Sequence, residues 1–189
     1  MLFPTLHFAQ DRSALISLQK TSEESLINYE YKDAIEAAMQ LLDEAKKFDD
    51  NYFHYHAHKV LGSSYNDLND TLRAKRHYEQ ALEYAQKSGN DTLILGAYNN
   101  LGNIYSEDKK TTQKGIDYYN LVINLATRMD NKENIFTPTV NIAWTYIDNK
   151  QYAKAWPYLK RSWEMYEGRN DFYIESQLNN LTKQILSWN

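Results

Sequence analysis

The sequence predicts an all-α protein made of antiparallel helix pairs that repeat about every 40 residues and stack side by side. Three features carry this, each keeping the same period. Small residues at Ser22, Gly62, Gly102 and Ala143 recur at intervals of 40, 40 and 41 residues. A second small set, Ala34, Ala74, Gly115 and Ala155, follows in register. Polar clusters Asp49-Asp50-Asn51, Gly89-Asn90-Asp91, Asp130-Asn131-Lys132 and Arg169-Asn170-Asp171 mark the turns between pairs.

Taken from the N-terminus, residues 1–11 read in two ways. They are an arm packing on the first helices, or a signal-peptide remnant whose apolar start turns polar at Asp11. Residues 12–189 form one repeat domain, with pairs over about 12–49, 50–89, 90–130 and 131–169 and a terminal helix over 171–187. The first pair is degenerate and is recognised from Tyr31-Lys-Asp-Ala34. In the second, His58, Leu61, Gly62 and Tyr65 form one stripe of a helix, and Ala74, Tyr78, Ala81, Leu82 and Ala85 form the facing stripe. Asp67-Leu-Asn-Asp70 supplies the turn and N-cap between them.

Tyr98, Leu101, Gly102 and Tyr105 repeat the stripe in the third pair. In the fourth, Asp148-Asn-Lys-Gln151 is the turn, and Ser162 stands where a small apolar residue is expected. Pro138 is expected to open a helix at its first position, and Pro157 to kink one. Leu178, Leu181, Ile185 and Leu186 give the terminal helix its apolar face, as a cap on the stack. The small residues are expected to face one another where the helices of a pair cross. Tyr65, Tyr105 and Tyr146 are expected to fill the wedges between pairs.

Composition narrows the function. A net charge of -4 without a run of Lys or Arg argues against gripping phosphate backbones. With no cysteine there is neither disulfide nor thiolate chemistry. No apolar run approaches the ~20 residues of a membrane span; composition assigns no compartment. Glycines are isolated at helix crossings rather than gathered in a phosphate loop. Glu23 with Glu24 and Asp49 with Asp50 fall on polar faces and turns, not in a cleft. The reading is therefore of a non-enzyme without a cofactor.

The motif Asn100-Leu101-Gly102-Asn103-Ile104-Tyr105 with Tyr119, and Leu61-Gly62…Tyr65…Ala74…Tyr78…Ala81, resemble the tetratricopeptide repeat. A period near 40 is similar to the long-helix variants in bacterial sensor kinases, transcription regulators and signalling-peptide receptors. The resemblance implies a right-handed superhelical solenoid whose first helices line a concave groove for a protein or peptide ligand. Projected onto that face are His56, Lys59, Ser63 and Asn66, then Asn99, Asn103 and Ser106. Val140, Trp144 and Ile147 follow, then Asn179 and Lys183.

Carboxamides on one face suit an extended backbone, since each donates and accepts, and Trp144 supplies an aromatic anchor. Lys59 and Asn103 match two places of the carboxylate clamp known in the family. Ser63, Val140 and Trp144 depart from it. The second reading is a sensing or regulatory segment of a bacterial signal-transduction protein. A remote third is metal binding by His54 and His58, which share a helix face but lack a third ligand; the expected alternative is packing of His58 on Tyr78. Surface aromatics are also compatible with a homodimer.

Overall fold

The computed structural model describes residues 4–48, 50–167 and 171–187, with side chains from residue 12 onward. Met1–Phe3 and the turn residues Asp49, Arg169 and Asn170 lie outside the described residues. Among the described residues there are nine α-helices and no strand, in the order α1 (Pro4–Ile27), α2 (Tyr31–Ala45), α3 (Asn51–Asp67), α4 (Thr71–Ser88), α5 (Asp91–Ser106), α6 (Thr112–Arg128), α7 (Glu133–Asp148), α8 (Tyr152–Tyr166) and α9 (Phe172–Leu186). Residues 4–11, read as an arm, form the opening turns of α1. The chain divides into two compact units, Met1–Ala97 and Tyr98–Asn189.

In unit 1, α1 packs on α2 and α3, and α3 pairs with α4. Leu15, Leu41, Ala45, Phe53 and Ala57 form one buried cluster, and Ala34, Ala38, Val60 and Leu61 a second. In unit 2, α7 packs on α6, α8 and α9. Its core joins Val140, Ala143 and Ile147 to Ala155, Leu159, Leu178, Leu181 and Ile185. Apolar residues three and four apart put one stripe of each helix into these clusters, which is why short helices with few caps hold together.

Asp50, Asp70 and Asp171 cap α3, α4 and α9, each carboxylate accepting a backbone N–H of the first turn. The C-terminal ends keep the repeat too. Tyr29, Asn69 and Lys150 sit within pairs, and Gly89 and Asp130 between pairs, all with left-handed φ. At four of these ends the same two bonds close the helix. After α7, for example, Lys150 N–H reaches the Ile147 carbonyl at 2.8 Å and Gln151 N–H reaches the Tyr146 carbonyl at 2.8 Å. A lysine in that conformation costs about 1–2 kcal/mol. Lys150→Gly is therefore expected to stabilise the chain by about 0.5–1 kcal/mol in urea unfolding, with Lys150→Ala as a neutral control.

Two expectations about crossings change. Gly62 and Gly102 do not chiefly face the second small set; they lie under the rings of Tyr78 and Tyr119. A Cβ on either would come within 2.6 Å of a ring carbon. Gly115 does meet Gly102, whose carbonyl would lie 2.9 Å from an added Cβ. Tyr65 and Tyr105 stack within their own pairs, on His77 and Tyr118 at 5.5 and 5.8 Å, and Tyr146 packs at a tilt on Tyr158 at 5.9 Å. Arg73, Lys114 and Lys154 lie over the same three rings at 4.3, 3.7 and 5.8 Å. Tyr65 and Tyr146 also pack against clusters that reach into a neighbouring pair, α2 for Tyr65 and α9 for Tyr146, so the wedge reading holds there in part.

Pro138 does not open its helix as expected. Pro138 is buried and lies inside α7, which starts at Glu133. α8 runs unbroken through Pro157. Pro157 and Ala153 are both exposed, so the Ala153 carbonyl that proline leaves without a donor belongs to a solvent-facing residue rather than to the core. Ser162 is fully buried, and its hydroxyl donates to the Tyr158 carbonyl at 2.9 Å, so no polar group is stranded in the core.

Candidate ligand-binding faces

In unit 1 the expected contacts Lys59, Ser63 and Asn66 follow one another along a face of α3 at helical spacing. Two of them are already engaged. Lys59 Nζ donates to Glu23 Oε1 of α1 at 2.9 Å, and His56 Nδ1 stands 2.8 Å from the same oxygen. The hydrogen bond from His56 and the Lys59 ammonium hold the Glu23 carboxyl at about 2, well below its usual range, against the opposing effect of burial. Ser63 Oγ is 3.1 Å from the Tyr78 hydroxyl, and Asn66 is half-buried one turn on. Beside Glu23 opens a cleft of about 620 Å³ lined by Arg12, Ile16, Lys20, Ile27 and Tyr52 among others.

His54 and His58 do not converge on an empty centre. Both rings lie parallel to Tyr84, at 4.5 and 5.5 Å, and His58 Nδ1 is 3.0 Å from His77 Nδ1. Tyr84 and His77, rather than Tyr78, are the rings packed on His58, because Tyr78 is spent covering Gly62. Among the described residues no group of three or more His, Cys, Asp or Glu is placed to hold a metal ion.

In unit 2, Asn99 and Ser106 are half-buried on α5 and Asn103 is exposed between them. The Tyr119 hydroxyl donates to Asn103 Oδ1 at 2.8 Å and lies 3.3 Å from Ser106 Oγ. Asn141 Nδ2 donates to that same Oδ1 at 3.3 Å. Burial pushes the Tyr119 hydroxyl above its ordinary value, so it stays a donor. Asn103 thus has its oxygen satisfied and its NH2 group left to donate, while Asn141 keeps its oxygen to accept.

Trp144, Asn179 and Lys183 are brought together in a cleft of about 840 Å³ between α7 and α9, with Phe172, Tyr173 and Ser176. Trp144 is 44% exposed, and Phe172 and Tyr173 are 87% and 72% exposed. Val140 and Ile147, projected onto the same face, are instead in the core with Leu178 and Leu181. A helix face two residues wide leaves only its middle outside, and Trp144 occupies it. Lys183 makes no ion pair among the described residues.

Sequence reasoning missed Glu23, Asn141, Tyr78 and Tyr119 as parts of these faces. One signal was present: Glu23, Ser63, Asn103 and Trp144 each follow a residue of the small set, so they share one place in the repeat.

Two stretches of the chain, residues 56–88 and 95–128, match the tetratricopeptide repeat family. Those two stretches are tetratricopeptide repeats. Response regulator aspartate phosphatase A of Bacillus subtilis (strain 168) is 38% identical over 66 residues, which is 35% of this chain and 17% of that protein. The chain therefore spans about a sixth of that relative. The apo form of RapI shares the fold at a TM-score of 0.81 and 14% identity, over 93% of this chain and 68% of that one. Aspartyl phosphate phosphatase F from Bacillus subtilis does so at 0.83 and 17%, over 94% and 46%. A Rap protein complexed with Competence and Sporulation Factor gives 0.71 and 16%, over 94% and 55%. Among the described residues no helix is long and apolar enough to cross a membrane.

Proposed function

We propose that the chain is a binding module that holds a peptide or protein segment on the outward faces of its first helices, and that it acts by binding rather than by catalysis. The observation that supports this most is the unit 2 cleft, where Trp144, Asn179 and Lys183 meet. One turn from Trp144 on α7, Asn141 offers an acceptor beside the donor of Asn103, the pair of groups that an extended backbone needs. Lys183 suits a carboxylate on the ligand and Trp144 an apolar or aromatic side chain. In unit 1, Lys59 already holds a carboxylate, that of Glu23, so the ligand's main seat is in unit 2. The net charge of -4 favours protein over nucleic-acid partners.

Panning a random peptide library on the chain and measuring the enriched peptides by calorimetry tests the reading. Trp144→Ala is expected to weaken them at least about tenfold with helix content unchanged, and Lys183→Ala to weaken those that carry a carboxylate. Peptides that bind both variants as they bind the parent would move the site elsewhere.

A second reading, a regulatory segment of a bacterial signalling protein, draws on the match to response regulator aspartate phosphatase A. Its test is the lifetime of a phosphorylated response-regulator domain with and without the chain. An altered lifetime would support this reading, and an unaltered one together with no binding of that domain would remove it.

A further inference from the structure

All five histidines, His7, His54, His56, His58 and His77, fall in unit 1 and none in unit 2. Three stand in one column of rings between α3 and α4. His54 lies 4.5 Å from Tyr84, Tyr84 5.5 Å from His58, His58 5.3 Å from His77, and His77 5.5 Å from Tyr65, with interplanar angles of 12°, 14°, 29° and 11°. The Arg73 guanidinium closes the column 4.3 Å above Tyr65. At its centre the two Nδ1 atoms of His58 and His77 face each other at 3.0 Å. One of them must carry a hydrogen and the other a lone pair; at that distance both cannot carry one.

We propose that this histidine pair is an acid-triggered catch on the α3–α4 helix pair, closed while its facing nitrogens share one hydrogen and opened once both carry one. Nearly all the charges around it oppose the extra proton. Arg73 and Arg76 of α4 act against a charge on His77, and His77 and His54 act against one on His58. Glu83 of α4 favours a charge on His58, but its carboxylate is held by Lys87 at 2.7 Å. Burial is the larger cause at both rings, lowering His77 and holding His58 at about 4, below the ordinary 6.5. The closed pair therefore refuses protons that the open chain accepts. Its contribution is complete above pH 6.5 and is lost as pH falls towards 4.

Hydrogen exchange read by mass spectrometry on the full chain tests this, with intrinsic rates corrected and α7–α9 as the internal reference. Between about pH 7.5 and about pH 4.5 the opening equilibrium of α3 and α4 is expected to rise on the order of fiftyfold relative to α7–α9. In His58→Phe/His77→Phe, which keeps the rings and removes their titration, that rise is expected to vanish. Equal protection of α3–α4 at both pH values would overturn the proposal, as would a double variant that opens like the parent. Should the double variant not fold, the imidazole C2–H titration of the parent decides: a His58 midpoint near 4 supports the catch, and one near the ordinary 6.5 removes it.

Discussion

Gly102→Leu is expected to cost unit 2 about 3 kcal/mol or more, the upper range for overpacking. The backbone at Gly102 is roofed by the Tyr119 ring, and even a Cβ would sit 2.6 Å from its edge. The ring has nowhere to retreat without giving up its hydroxyl contacts to Asn103 and Ser106. The substitution therefore acts twice, on packing and on the proposed ligand face. Urea unfolding followed by tyrosine fluorescence and circular dichroism measures the first effect, and peptide affinity the second. A Gly102→Leu chain as stable as the parent would show that the ring is not fixed where it is described.

Glu23→Ala is expected to cost about 2–3 kcal/mol at neutral pH, because it leaves the half-buried Lys59 and the more deeply buried His56 without their shared carboxylate. The pH dependence has a definite sign. Held at about 2 instead of 4.5, the folded carboxyl binds its proton more weakly than the unfolded one. Its stabilisation is present above pH 4.5 and fades as pH falls towards 2. Stability measured from pH 7 downward should therefore lose this step in Glu23→Ala while keeping the earlier loss that comes from His58. A variant whose acid profile overlays the parent's would show that Glu23 is not the group at work.

The helix pairs were legible because small residues hold a period that no side-chain chemistry disturbs. The cap at Asp70 was legible for a similar reason, since an acid before an apolar stripe has one local use, whereas Asp50 was read only as part of a turn. The left-handed helix ends were not, because Tyr29 and Lys150 stand where glycine would have signalled them. Of the proposed ligand faces, sequence spacing named Trp144, Asn179 and Lys183, which line one cleft. It misplaced Val140 and Ile147, because α9 covers both sides of Trp144 and only the packed helices reveal how narrow the outer strip is. Glu23 was read as solvated because its two partners lie on another helix, about 35 residues away in sequence, beyond the reach of any local pattern.

The place that follows each crossing residue holds Glu23, Ser63, Asn103 and Trp144 in turn: an acid, a hydroxyl, an amide and an indole on one recurrent scaffold. At Ser63 and Asn103 a tyrosine hydroxyl from the paired helix meets whatever stands there, and it does so as readily for a hydroxyl as for an amide. The backbone beneath is set by other residues. At Ser63, Asn103 and Trp144 the displayed side chain can therefore change while the small residue before it keeps the crossing, whereas at Glu23 the displayed carboxylate also ties α1 to α3.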